Sequence, residues 1–326
     1  MKNFSYFEPR DLATAVALLA EHQGRAKILA GGTELVPQMK RGLSAPEVVL
    51  SLGGLAGLKG MAEDAGGLRI GAMASLGTLE QSPLLASRYA ALQEAAERVA
   101  SRPIRNAGTI GGNICLDTKC IYRDQSQTWE RALPPCYKSG GGRCYVVRGG
   151  KGCHASLAAD TVPALIALQA KGKVLSPGGE KTVAIESLYT GNGLRPTSLG
   201  PQELLTEILL PRSQAGFGSA YCRFSHRQAI DFPVASAAVW LKGEAKACAE
   251  ARVVLGGIAP GPVRLPQVEA ALRGQTVTAD LLRQCSQRAS EEALQRSKSG
   301  RIDGFTRGLI ASLVFQALNK VWQGLS

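Results

Sequence analysis

No stretch of the chain approaches about 18 consecutive apolar residues, which excludes a membrane-spanning helix. Glu8, Arg10 and Asp11 stand where a secretion signal would carry its apolar core, so the chain is expected to stay in the cytoplasm and away from membranes. Neither G-x-G-x-x-G nor a P-loop occurs, which argues against a Rossmann or Walker nucleotide site. None of the cysteines forms the C-x₂-C pair of common zinc sites, and a zinc ribbon loses its best signature. There is no internal repeat and no G-x-y period.

What is present is a soluble, globular composition, with 45% hydrophobic and 20% charged residues over 326 positions. That length suffices for two domains and a sizeable core. Glycine is in excess, 38 residues against an average near 7%, which points to tight turns and close backbone approaches. The formal net charge is +12. Asp11 is placed to cap a helix over 12–20, with Leu12, Val16 and Leu19 on one face. Short strands are expected at 27–30, 48–52 and 68–72, a helical stretch over 76–101 ended by Pro103, and a strand at 203–211. Beyond a boundary near 212–217, strands within 238–259 precede helical patterns at 266–273, 279–296 and 303–323, an α+β arrangement.

Eight cysteines are unevenly spread: Cys115, Cys120, Cys136, Cys144 and Cys153 fall within 39 residues. In a reducing compartment such a cluster points to metal rather than to disulfides, and thiolates suit zinc or an iron–sulfur cluster equally. Pro134, Pro135 and the Gly140–Gly142 run predict a long loop here, which a bound metal would order. Cys222, Cys248 and Cys285 read as small buried hydrophobes, and His154 as a surface residue. Between Lys119 and His154, seven basic residues face Asp124 and Glu130, a net +5. This favours an acidic protein partner such as a small electron carrier over nucleic acid, for which only Tyr122, Trp129, Tyr137 and Tyr145 could stack bases.

Two glycine loops complete the pattern. ILAGGTEL (28–35) sets Gly31 and Gly32 directly after an apolar strand, and TIGGN (109–113) offers a second cradle of backbone N–H groups. With these loops, the opening Phe4, Tyr6 and Pro9, the Asp160–Ala164 segment, ELLTEILLP (203–211) and SAYCRFSHRQAIDFPVAS (219–236), the chain resembles the FAD-binding subunits of the xanthine dehydrogenase and molybdenum hydroxylase family. The resemblance implies an α+β fold: a two-part FAD-binding domain of the PCMH type over 1–214, interrupted by a cysteine-rich insertion at 116–156, then a smaller domain of sheet plus helices over 215–326. It implies FAD pyrophosphate contacts at Leu29, Ala30, Gly31, Gly32, Thr33, Glu34 and Leu35 and at Thr109, Gly111, Gly112 and Asn113. Val99, Asp160 and Leu205 would meet the rest of the flavin nucleotide, and Arg223 stands where the family usually has lysine.

The insertion is similar to that of 4-hydroxybenzoyl-CoA reductase-type flavin subunits, which implies a [4Fe–4S] cluster on Cys120, Cys136, Cys144 and Cys153, with Cys115 left out. The implied activity is an oxidoreductase subunit that relays electrons between an external carrier such as ferredoxin and partner subunits holding [2Fe–2S] centres and a molybdenum cofactor. This chain lacks the plant-type C-x₄-C-x₂-C spacing that would put such a [2Fe–2S] centre on it. The alternative is a xanthine or aldehyde dehydrogenase-type flavin subunit reducing NAD, the insertion being structural. A stand-alone flavin oxidase and a zinc-stabilised adaptor are rival readings. No acid–base or nucleophilic catalytic residue is assigned.

Overall fold

The computed structural model describes residues 1–123, 125–213, 215–244, 247–297 and 302–325; Asp124, one of the two acids counted in the insertion, lies outside them. The first unit comprises β1 (Ser5–Phe7), α1 (Leu12–Glu21), β2 (Ala26–Leu29), α2 (Leu35–Lys40) and β3 (Val48–Ser51). Asp11 caps α1 as expected, accepting the Thr14 N–H at 2.7 Å. The strands form a parallel sheet in the order β1-β3-β2. Leu19, Leu50, Leu52 and Leu58 form its core.

The second unit holds β4 (Met61–Asp64), β5 (Gly67–Gly71), α3 (Leu76–Glu80), α4 (Pro83–Arg88), α5 (Ala90–Glu97), α6 (Arg102–Ala107), α7 (Ile110–Ile114), α8 (Gln127–Ala132), α9 (Thr161–Ala167), β6 (Lys171–Ser176), β7 (Gly179–Ala184), β8 (Tyr189–Asn192), β9 (Arg195–Thr197) and β10 (Leu204–Pro211). Its five-stranded sheet runs β4-β5-β10-β6-β7, so β10, last in sequence, lies central in space. All seven residues of α9 are buried.

The third unit comprises β11 (Phe217–Phe224), β12 (Ala235–Glu244), β13 (Ala247–Gly256), β14 (Val263–Arg264), α10 (Pro266–Leu272), α11 (Ala279–Ser297) and α12 (Gly304–Leu325). Its antiparallel sheet is covered on both faces, and the two-residue period of β12 sorts its side chains accordingly. Ala237, Val239 and Leu241 pack with the C-terminal helices, whereas Ala238 and Trp240 join the core of the second unit.

Three expectations are corrected. The helical stretch at 76–101 is three short helices, because Ser75 and Ser82 each cap a new one through the N–H groups of Thr78 and Leu85. Pro103 opens α6 rather than ending a helix, since its missing N–H is tolerated in a first turn. The cysteine-rich loop contains regular structure, the short helix α8 capped by Ser126.

The second and third units are joined by polar bonds. Glu94 on α5 accepts the backbone N–H of Tyr221 on β11 at 2.8 Å and pairs with Lys320 on α12 at 2.9 Å. Glu94→Ala is expected to lower stability by about 2 kcal/mol, the scale of hydrogen bonds to a charged group. Urea denaturation followed by tryptophan fluorescence measures this, and an unchanged midpoint and slope would show that the clamp contributes nothing.

Candidate functional site

The strand β2 delivers its chain into the loop 30–34, where Gly32 takes φ +73°, a conformation most side chains avoid. A Cβ at position 31 would overlap the carbonyl oxygen of Ala107. The first loop therefore touches, backbone to backbone, the residues Ala107 and Gly108 that lead into the second, and only glycine permits it. Among the described residues, the N–H groups of Gly31, Gly32 and Thr33 have no acceptor within the chain. Unclaimed, partly exposed N–H groups in succession are suited to an anion.

The second loop is pinned from three sides. The N–H groups of Ile110 and Gly111 donate to Ala74 and Ala72 at 3.0 and 2.9 Å. The Thr109 hydroxyl accepts the Gly112 N–H at 3.0 Å. Asn113 Oδ1 accepts both the N–H and the hydroxyl of Thr161, at 3.2 and 2.7 Å, which ties α7 to α9. Upstream, Arg105 forks onto Glu80 at 2.7 and 2.9 Å and onto the Val99 carbonyl at 2.9 Å. Those bonds hold the Glu80 carboxyl below its ordinary value.

Asp160 is buried at the start of α9. Its carboxylate accepts from the Tyr221 hydroxyl at 2.5 Å and from Arg223 at 3.1 Å. Arg223 also donates to the carbonyls of Arg98 and Asp231. The segment 225–234 is thereby held against 98–100, where the Ile230 N–H donates to the Ala100 carbonyl at 3.1 Å. Ala100 and Ile230 sit at φ +46° and +52°, strained for side chains with a Cβ and unusual for a β-branched one. The structure thus brings the two loops, Asp160 and Arg223 into one connected framework. Val99 lies on it through its carbonyl. Leu205 differs: it is buried in the core on β10, beside Gly172. Sequence reasoning missed Arg105, since a lone arginine has no spacing that marks it, and gave Tyr221 and the segment 225–234 no role beyond their place in the motif at 219–236.

The insertion closes at its neck, where Lys119 and Ser156 exchange backbone hydrogen bonds of 2.7 and 3.0 Å. Lys138 plugs its base, donating to Asp117 Oδ1 at 2.9 Å, Thr118 Oγ1 at 2.6 Å and the Thr118 carbonyl at 2.8 Å. Cys120, Cys136, Cys144 and Cys153 are all half-buried. Burial raises the Cys153 thiol; the Ala155 N–H and Lys138 oppose this, and the nearby Cys144 and Cys136 add to it. Among the described residues, no three His, Cys, Asp or Glu side chains are gathered in metal-ligating geometry. The basic charge divides. Lys119, Arg123 and Lys138 pair with Glu34, Glu130 and Asp117, while Arg131, Arg143, Arg148 and Lys151 face solvent.

Residues 2–213 match the family described as FAD binding domain in molybdopterin dehydrogenase, and residues 220–321 match the CO dehydrogenase flavoprotein C-terminal domain. The chain is 27% identical to the carbon monoxide dehydrogenase medium chain of Hydrogenophaga pseudoflava, over 98% of this chain and 97% of that one. It is 31% identical to an aldehyde oxidoreductase FAD-binding subunit of Escherichia coli, over 83% and 86% of the two chains. The solved carbon monoxide dehydrogenase of H. pseudoflava superposes with a TM-score of 0.80 at 28% identity, covering 99% of this chain and 98% of that one.

Burial pushes the Asp160 carboxyl up to about 6, against the pull of Arg223 and Tyr221. The folded value lies above the unfolded one, near 3.9, so the folded state binds the extra proton between the two. Its contribution is therefore full below about pH 4 and lost as pH rises through about 6. The stability of the wild type minus that of Asp160→Asn should fall by up to ~3 kcal/mol between pH 4 and 7. Urea titrations across that range check this; a difference that is flat or rises with pH contradicts it.

Proposed function

Because this chain belongs to the family of FAD-binding subunits of molybdopterin dehydrogenases, we propose that FAD lies in the cradle of Leu29–Leu35 and Thr109–Asn113, bounded by Val99, Asp160, Leu205 and Arg223, and that the insertion carries a [4Fe–4S] cluster on Cys120, Cys136, Cys144 and Cys153. The chain binds FAD and is the flavin subunit of a molybdenum hydroxylase-type oxidoreductase complex. Bound FAD supplies the redox chemistry, and the protein supplies binding, spacing and electrostatics. On this reading the molybdenum cofactor and [2Fe–2S] centres belong to partner subunits, which the name medium chain of a relative supports. The finer reading is a 4-hydroxybenzoyl-CoA reductase-like complex exchanging electrons with ferredoxin.

The observation that carries the FAD placement is the contact of Gly31 with Ala107 beside the unclaimed N–H groups of Gly31, Gly32 and Thr33. Such a cradle fits a pyrophosphate. The fit to a cluster is one of chemistry: four half-buried cysteines, soft ligands suited to iron, sit on one closed loop. A second reading has a specific observation in its favour. Lys138 ties the base of the insertion through Asp117 and Thr118, and among the described residues no three ligating side chains are gathered. On that reading the insertion is structural and the complex reduces NAD. For the carrier, the support is the exposed Arg131, Arg143, Arg148 and Lys151, accompanied by exposed Ile121 and Trp129, a surface suited to an acidic redox protein.

Anaerobic isolation of this chain apart from its partner subunits, with iron, sulfide and flavin analysis and EPR, separates the two readings. The cluster reading expects iron and sulfide on this chain, lost in Cys136→Ala while FAD is retained. A wild-type chain without iron leaves the structural reading. Gly31→Ala is expected to weaken FAD binding more than about tenfold, or ~1.4 kcal/mol, with iron unaffected. Retention of FAD in that variant contradicts the cradle. Electron exchange with an acidic carrier should slow as salt rises from low to physiological ionic strength, and a salt-independent rate contradicts docking on the basic surface.

A further inference from the structure

Glu34 is the one acid within the loop Leu29–Leu35. In a cradle that takes a pyrophosphate, a carboxylate adds repulsion to every phosphate oxygen it faces, and partial burial strengthens that repulsion. The structure pairs this carboxylate with Lys119, whose ammonium is largely buried and meets Glu34 Oε1. Gln38 on α2 donates to the same oxygen at 2.5 Å.

Lys119 does not come from the flavin-binding framework. It is the neck residue of the cysteine-rich insertion, next to Cys120, and is fixed there by its two backbone bonds to Ser156. The same ammonium lies 5.8 Å from the centre of the Phe232 ring, in the segment that Arg223 holds against 98–100. A second contact reaches the far end of the same helix: Arg41, just past α2, donates to the Gln125 carbonyl of the insertion at 2.5 Å. The insertion therefore grips α2 at both ends, and at one of them it neutralises the cradle's own acid.

We infer that Lys119 makes flavin affinity depend on the cysteine-rich insertion, by neutralising Glu34 and drawing its carboxylate off the pyrophosphate site. The inference rests on the placement of FAD in the glycine cradle and not on the identity of any metal in the insertion. Coupling of this kind is reciprocal: whatever orders the insertion tightens flavin, and flavin in turn favours the ordered insertion.

The test is a double-mutant cycle on the full-length chain stripped of flavin, titrated with FAD and followed by quenching of flavin fluorescence. Lys119→Met is expected to weaken FAD binding on the order of tenfold, within the usual range of coupling between sites. Glu34→Gln combined with Lys119→Met is expected to return to within about twofold of Glu34→Gln alone, since no charge then needs neutralising. Lys119→Arg should keep wild-type affinity, because the charge remains. Wild-type affinity in Lys119→Met overturns the inference, as does a double variant no tighter than Lys119→Met. Should Lys119→Met fail to fold, the comparison of the double variant with Glu34→Gln decides alone, and a tenfold gap between them is the overturning result. Gly31→Ala serves as the control: if it keeps FAD, the cradle placement fails; if it loses FAD while Lys119→Met does not, only the present inference fails.

Discussion

Two stretches of backbone far apart in sequence meet at Gly31 and Ala107 with no side chain between them, and most of the candidate site follows from that approach. The first loop leaves a parallel three-stranded sheet, and the second opens α7 against the antiparallel five-stranded sheet. Their contact sets one unit on the other. The same loop hands on its position, because Asn113 holds Thr161 and so locates Asp160, the next residue back. Asp160 in turn holds Tyr221 and Arg223 of the third unit. A side chain at 31 would push apart the backbones at the first member of this series.

Charge in the insertion has two separate uses. Summed along the sequence it is a basic loop; in space, nearly half of that basicity is spent inward on Glu34, Glu130 and Asp117. Buried or half-buried pairs of this kind act locally and resist screening, whereas exposed arginines act at range and fade with salt. Net charge alone therefore overstated the electrostatic reach of the loop and missed its role as a fastener. Lys138 makes the same point. Its three bonds to Asp117 and Thr118 act at short range and fasten the insertion at its base.

What was legible in the sequence is what carries a period or a spacing. The Asp11 cap and the strands within 238–259 each state a local rule, and each is found where the rule put it. The strand β7 was invisible because its residues, GEKTVA, are almost all exposed and show no alternation. The strand β1 is three residues long and declares itself only through its parallel partner β3. The helices α3, α4 and α5 merge into one apolar pattern, since Ser75 and Ser82 look like ordinary surface residues until a helix starts at them. Gathering of the cysteines was beyond reach for a different reason: spacing along a loop does not fix distance across it.

Arg223 shows why a departure from a family pattern has to be read from its acceptors. The resemblance leads one to expect lysine here, and as charges the two are equal. The guanidinium, however, spreads its donors over two terminal nitrogens: one serves the Asp160 carboxylate and the Arg98 carbonyl, the other the Asp231 carbonyl. A lysine ammonium offers a single nitrogen and could not sit at both places at once. Nor is the surrounding space tolerant of a looser fit, since the Arg223 side chain is only 3% exposed and an unpaired charge there would be costly. The arginine thus adds to the positive charge a fixed position for the segment 225–234, and with it for Phe232, the ring over which Lys119 lies. Arg223 and Lys119 consequently act on one segment, Arg223 through the backbone at Asp231 and Lys119 through the ring of Phe232.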